Sequence, residues 1–197
     1  YYYGKQPLPP GYLSNPQGVR VDQEGKIYVG NSNYHTVSVF NDDYSFDKTL
    51  GKVITSQNVK TGEFVSPTDL ILDDQGYLYV SDVELSILQV FDPDMKPFMT
   101  IDENFSNPQG LALDEDGNLV VVSSRQSFLS VIEIIDIADE MESELEVLPL
   151  EGTWPVGVDV DSDGNYFVAM TGSNEVHSVA SDGELITKIG QEGSGDG

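Results

Sequence analysis

Short apolar runs closed by glycine turns recur four times along the chain. The first run of each repeat begins at Val19-Arg20-Val21, Leu70-Ile71-Leu72, Leu111-Ala112-Leu113 and Val158-Asp159-Val160. A turn follows each: Asp22-Gln23-Glu24-Gly25, Asp73-Asp74-Gln75-Gly76, Asp114-Glu115-Asp116-Gly117 and Asp161-Ser162-Asp163-Gly164. The aspartate of such a turn accepts hydrogen bonds from backbone N–H groups just beyond it, and glycine supplies a positive φ without a Cβ clash. The second runs are Ile27-Tyr28-Val29, Leu78-Tyr79-Val80, Leu119-Val120-Val121 and Tyr166-Phe167-Val168. A third follows a polar gap, as in Val37-Ser38-Val39-Phe40 and Leu88-Gln89-Val90-Phe91, and a fainter fourth covers residues 46–50, 97–101, 145–150 and 185–189. In the last repeat the third strand is expected one residue out of step. Runs of this length and composition predict strands. The Gly and Pro punctuation is too dense for helices longer than a turn or two, so the predicted class is all-β.

The spacing is stricter than the runs themselves. Asn15-Pro16-Gln17-Gly18, Ser66-Pro67-Thr68-Asp69, Asn107-Pro108-Gln109-Gly110 and Trp154-Pro155-Val156-Gly157 head the four repeats. Six residues after each proline stands an aspartate, nine after it a glycine (Gly25, Gly76, Gly117, Gly164), and thirteen after it a valine (Val29, Val80, Val121, Val168). The prolines lie 51, 41 and 47 residues apart. Four strands per repeat of this length is the pattern of a β-propeller blade, in which stacked neighbours bury the faces that one sheet leaves open. The blades are placed at about 15–51, 66–102, 107–150 and 154–190. A Tyr/Pro-rich arm or edge strand covers 1–14, and a Gly-rich linker covers 191–197.

These residues resemble NHL repeats. The stretch Asn107-Pro108-Gln109-Gly110-Leu111-Ala112-Leu113-Asp114-Glu115-Asp116-Gly117-Asn118-Leu119 follows the family pattern closely, and the resemblance runs from residue 15 to about 190. The family often has an Asp after the second strand, where this chain has Asn31, Asp82, Ser123 and Met170. The basic residue that the family carries before the third strand is absent from all four repeats. Six-bladed rings are usual in the family, whereas four blades are visible. The resemblance therefore implies part of a larger ring or assembly, with a closed four-blade ring as the alternative.

Charge narrows the functions. The chain has 197 residues, with 34 acidic against 9 basic, a net charge of −25 and no Cys. Such a surface does not neutralise nucleic-acid phosphates or ride on anionic lipid. Some NHL proteins bind RNA through a basic face, and that property is not carried over. No run of 18 apolar residues occurs, so membrane insertion by a helix is not expected. The excess of Asp over Glu and the scarcity of Lys suit salty or cation-rich surroundings and favour an extracellular, cell-surface or periplasmic location. Ten Tyr and eight Phe supply bulk that disordered acidic chains lack.

Candidate chemistry is sparse. Asp159-Val160-Asp161-Ser162-Asp163-Gly164-Asn165 mimics the start of a calcium loop, but its twelfth position is Met170 and the register makes it a hairpin turn. His35 and His177 are too few for a catalytic zinc, which takes three protein ligands. Amidating lyases resemble this fold and use histidine-coordinated metal, yet this chain supplies no matching set. No nucleophile elbow or phosphate loop is present. Trp154, in place of a small residue before Pro155, is expected in the core. Acidic Glu140, Glu142 and Glu144, and aromatic Tyr1, Tyr2, Tyr3 and Tyr12, are the candidate partner-binding residues.

The expected function is a non-catalytic propeller, a protein-interaction or assembly module of a secreted or cell-surface protein that binds a protein partner or itself. One alternative is a structural subunit of an extracellular polymer. The other is a divalent-metal-dependent lyase or hydrolase of propeller type. For that alternative a calcium or other divalent ion would be held at Asn31 and Asp82; otherwise no cofactor is expected.

Overall fold

The computed structural model describes residues 9–54, 59–102, 105–125, 127–132 and 145–190. It divides into two compact units, Tyr1–Ile101 and Asp102–Gly197. In the first, β1 (Pro16–Val21), β2 (Ile27–Asn31), β3 (Thr36–Phe40) and β4 (Phe46–Leu50) form one antiparallel sheet in sequence order. Two-residue strands β5 (Lys52–Val53) and β6 (Glu63–Phe64) then pair in parallel. The second sheet follows as β7 (Pro67–Leu72), β8 (Leu78–Asp82), β9 (Ile87–Phe91) and β10 (Pro97–Ile101). The second unit holds β11 (Pro108–Leu113), β12 (Leu119–Ser123), β13 (Phe128–Ile132) and β14 (Leu145–Pro149). Its other sheet is β15 (Pro155–Val160), β16 (Tyr166–Met170), β17 (Glu175–Val179) and β18 (Leu185–Ile189). Beyond one three-residue 3-10 turn, Ser32–Tyr34, the described elements are all strands.

The turns form as their residues dictate. One carboxylate oxygen of Asp22 accepts Glu24 N–H at 2.9 Å and Lys26 N–H at 2.8 Å, and the other accepts the Tyr28 hydroxyl at 3.0 Å. Asp73 repeats this with Gln75, Tyr77 and the Tyr79 hydroxyl. In the second unit an asparagine side chain replaces the tyrosine: Asn118 bonds Asp114, and Asn165 bonds Asp161. Gly25, Gly76, Gly117 and Gly164 close the turns with φ of 84°, 89°, 84° and 77°. The calcium-like stretch at 159–165 is thus a turn whose aspartate is occupied by its own backbone. The Asn165 bonds hold the Asp161 carboxyl below its ordinary range. Burial, followed by the neighbouring aspartate, pushes the Tyr28 and Tyr79 phenols upward.

Neighbouring blades meet tightly at their first strands and broadly behind them. A Cβ on Gly18 of β1 would lie 2.7 Å from Asp69 Cα of β7, and one on Gly110 of β11 would lie 2.8 Å from Gly157 Cα of β15. Only glycine allows backbones this close. Behind the first contact, Tyr28, Val37, Val39 and Leu50 pack on Leu70, Leu78, Val80 and Phe91, with Phe64 stacked 6.0 Å from Phe91. Behind the second, Val120, Leu129, Val131 and Leu148 pack on Tyr166, Val168, Met170 and Val179.

The third strand of the last blade is in step, correcting the expected slip. Val168 pairs with His177, as Val29 pairs with Ser38, Val80 with Gln89 and Val121 with Ser130. Ser178 stands where the other blades have valine, and this disguises the phase in the sequence.

Candidate functional site

Two loops of every blade lie at one end and are bonded to each other. The lead-in to the first strand offers carbonyls to the loop between the second and third strands. Ser32 and Asn33 N–H donate to Asn15 and Ser14, and Val83 N–H donates to Ser66. Ser124 and Arg125 donate to Asn107 and Ser106, and Thr171 and Gly172 donate to Trp154 and Thr153. The proline that follows enters its strand through an irregularity in the ladder, which suits a residue with no N–H to give. The residue before it is left-handed in three blades, with φ of 54° at Asn15, 56° at Asn107 and 57° at Trp154. Asparagine tolerates that region, whereas a bulky residue does so rarely.

The residue after the second strand pins the lead-in. Asn31 is buried; its Oδ1 accepts Ser14 N–H at 2.8 Å, and its Nδ2 donates to the Tyr12 carbonyl at 3.0 Å and Ser38 Oγ at 3.2 Å. Asp82 is fully buried and accepts Val65 N–H at 2.7 Å, Ser66 N–H at 3.1 Å and Leu85 N–H at 3.2 Å. Burial pushes the Asp82 carboxyl up, against the pull of those N–H groups. In the second unit the pin weakens: Ser123 Oγ is buried without a hydrogen-bond partner, and Met170 is apolar.

The expected ion site at Asn31 and Asp82 is therefore corrected. Each side chain points to backbone groups, and its oxygens are taken by N–H donors. Among the described residues no group of three or more His, Asp or Glu is placed to share a metal ion. These residues do not fit a resident divalent cation.

The histidines are each engaged within their own unit. His35, at φ 58°, meets the Val65 carbonyl through Nδ1, while Ser32 Oγ and Ser66 Oγ lie 2.9 Å apart, so the first blade's loop is tied to the second blade's lead-in. A carbonyl only accepts, which fixes the His35 proton on Nδ1. His177 is buried, with Nε2 2.9 Å from Glu175 Oε2, and this contact holds the Glu175 carboxyl below its ordinary range. Its Nδ1 is buried without a hydrogen-bond partner.

Tyr12, a candidate partner residue, is exposed. Tyr1, Tyr2, Tyr3, Glu140, Glu142 and Glu144 lie outside the described residues. Trp154 is corrected from core to surface: 65% of it is exposed. Its position precedes the strand, on the lead-in, so it belongs to neither packed sheet face. In the first unit the strand heads carry Asn15 and Gln17 at β1 and Ser66 and Thr68 at β7; in the second they carry Asn107 and Gln109 at β11 and Trp154 and Val156 at β15.

The SMP-30/Gluconolactonase/LRE-like region family matches residues 47–191, and the NHL repeat matches residues 13–40. A gluconolactonase of Zymomonas mobilis subsp. mobilis (strain ATCC 31821 / ZM4 / CP4) is 24% identical over 211 aligned positions, covering 93% of this chain and 57% of that protein. A catalytically inactive virginiamycin B lyase from Staphylococcus aureus, solved with quinupristin, superposes with a TM-score of 0.71 at 12% identity, over 93% of this chain and 59% of its own. A gluconolactonase from Xanthomonas campestris gives 0.69 at 20% identity, over 90% and 63%. These likenesses establish the β-propeller fold of four-stranded blades. The chain spans little more than half the length of the curated relative that it matches. The expectation of a non-catalytic module is overturned by the family match and the gluconolactonase relative, and the lyase or hydrolase alternative fits them better.

Proposed function

We propose an enzymatic function on one premise: the chain belongs to the SMP-30/gluconolactonase/LRE-like family. In this reading the four blades form part of a propeller hydrolase whose substrate is a lactone, the cyclic ester of a polyhydroxy acid. The observation that carries it is the family match across residues 47–191. The alignment of a curated gluconolactonase to 93% of the chain supports it.

Opening a lactone adds water across the acyl C–O bond. The water oxygen joins the carbonyl carbon, and the ring oxygen leaves as a hydroxyl. Within the first unit, the strand heads keep hydrogen-bonding capacity for sugar hydroxyls beyond their own bonds, which run from Gln17 Nε2 to Asn15 Oδ1 and from the Thr68 hydroxyl to the Ser66 carbonyl. Calcium or another divalent ion is compatible with this family. The described residues do not assemble a ligand set for one.

The test is proton release. The full polypeptide, given D-glucono-1,5-lactone in weak buffer with an indicator dye, is expected to acidify the solution faster than buffer alone. A rate equal to the buffer blank with five- and six-membered sugar lactones, with and without added calcium, would sink the reading.

A further inference from the structure

The connection into the last blade lacks the fastenings that hold its counterpart in the first unit. There, three side chains secure the chain ahead of Pro67. Phe64 is buried and stacks on Phe91 at 6.0 Å. Gln89 accepts Gly62 N–H at 2.8 Å and donates to the Glu63 carbonyl at 2.9 Å. Asp82 accepts the N–H groups of Val65 and Ser66. Relative to Pro155, the same three positions hold Gly152, His177 and Met170. Glycine has no side chain to insert, and a thioether is only a weak acceptor.

His177 does not take over the work of the glutamine. It is 1% exposed, and its Nε2 lies 2.9 Å from Glu175 Oε2 on its own strand. A carboxylate only accepts, so Nε2 carries the proton and Nδ1 is left as an acceptor. That nitrogen is buried without a hydrogen-bond partner. The connection lies directly over the ring: a Cβ on Gly152 would be 3.4 Å from His177 Cε1 and 3.1 Å from Met170 Cε. Both blades that it joins belong to the second unit, and His177 faces the third blade, since it pairs with Val168 of the core between them.

The ends of the connection are better held than its middle. Leu150 is buried and its N–H bonds the Ser127 carbonyl at 2.8 Å, while the Thr153 and Trp154 carbonyls accept from Gly172 and Thr171. Between them, Glu151 meets Lys188 at 3.3 Å, an exposed ion pair of the kind that contributes little. A buried acceptor without a donor is costly, and opening the connection to water recovers part of that cost.

We propose that residues 151–153 form a strap that opens over His177 while the third and fourth blades stay packed, so that the strap gates the access of small solutes to an imidazole base. The device is independent of the lactonase reading, and its readouts need no substrate.

The chain has no Cys, so one introduced pair can lock the strap. A Cβ on Gly172 would lie 3.0 Å from Thr153 Cβ, and a shift of about half an ångström brings the two into disulfide range. The full polypeptide carrying T153C/G172C is compared with itself, oxidised and reduced. In wild type, amide hydrogen exchange read by mass spectrometry is expected to show residues 151–153 protected about a hundredfold less than 62–64. Diethyl pyrocarbonate is expected to carbethoxylate His177 in wild type and in the reduced variant, and about tenfold more slowly in the oxidised one. H177Q supplies the residue of the second blade and is expected to slow exchange at 151–153 about tenfold, with or without a disulfide in hand. Equal protection of the two connections in wild type overturns the strap. So does a locked form whose His177 is labelled as fast as the reduced form, or an H177Q variant whose exchange is unchanged.

Discussion

Replacing Asp82 with alanine is expected to lower the stability of the first unit by about 3 kcal/mol. The side chain is fully buried and accepts the backbone N–H groups of Val65, Ser66 and Leu85. Alanine leaves those partly buried donors without their acceptor, and an orphaned donor costs more than the net value of the bond it lost. A urea titration followed by circular dichroism reads the loss as a lower midpoint with an unchanged slope. Asparagine at the same position separates charge from shape. Burial raises the Asp82 carboxyl above its unfolded value of about 3.9. Between the unfolded and the folded pKa, the native chain holds a proton that the unfolded chain has released. Stability from this group is therefore complete below about pH 4 and declines as pH rises through the folded pKa. The wild-type midpoint, measured against D82N, should fall across that window. A difference that stays flat or rises would mean that the backbone N–H groups, and not burial, set the carboxyl.

Gly110→Ala is the second large effect, expected at about 3 kcal/mol. The new methyl would lie 2.8 Å from Gly157 Cα, 2.9 Å from Val158 N and 3.0 Å from the Val156 oxygen. All three are backbone atoms, so no rotamer change relieves the clash, and β11 and β15 must part. Gly157→Ala is the control. Like Gly110 it has no positive φ, but its Cβ would meet only Ala169 Cβ, at 3.9 Å. It is expected to change stability by no more than about 1 kcal/mol. Thermal unfolding of the two variants side by side measures the close approach by difference. Equal midpoints would show that the two strands can separate without loss.

The strands were legible because each depends on neighbours in sequence. Residues 46–50, 97–101 and 185–189 are strands as their patterns predict, and Asp-x-x-Gly fixes each turn within its own few residues. What depended on distant partners was not legible. The β5–β6 pair is two residues long on each side and shows no periodicity. It is set instead by Gln89, which accepts Gly62 N–H at 2.8 Å and donates to the Glu63 carbonyl at 2.9 Å. Asn31 and Asp82 were visible as polar residues at a fixed offset, but nothing in that offset tells whether they face an ion or the preceding backbone. Trp154 was read by its size and placed in the core, whereas its position before Pro155 puts it on the lead-in. The function was missed for a related reason. Nucleophile elbows, phosphate loops and histidine metal sets leave signatures, and hydrogen-bonding groups at separate strand heads leave none.

The β5–β6 excursion also bears on how such proteins diversify. It occupies the stretch between β4 and β7, and the chain is gripped again where the excursion ends. Lys52 N–H bonds the Gly62 carbonyl at 3.0 Å, Gln89 clasps Gly62 and Glu63, and Asp82 seizes Val65 and Ser66. Extra residues placed between those anchors leave the head at Pro67 where it was. Evolution can lengthen, shorten or decorate that connection without moving the strand that follows it, and a protein engineer can graft a foreign loop there on the same grounds.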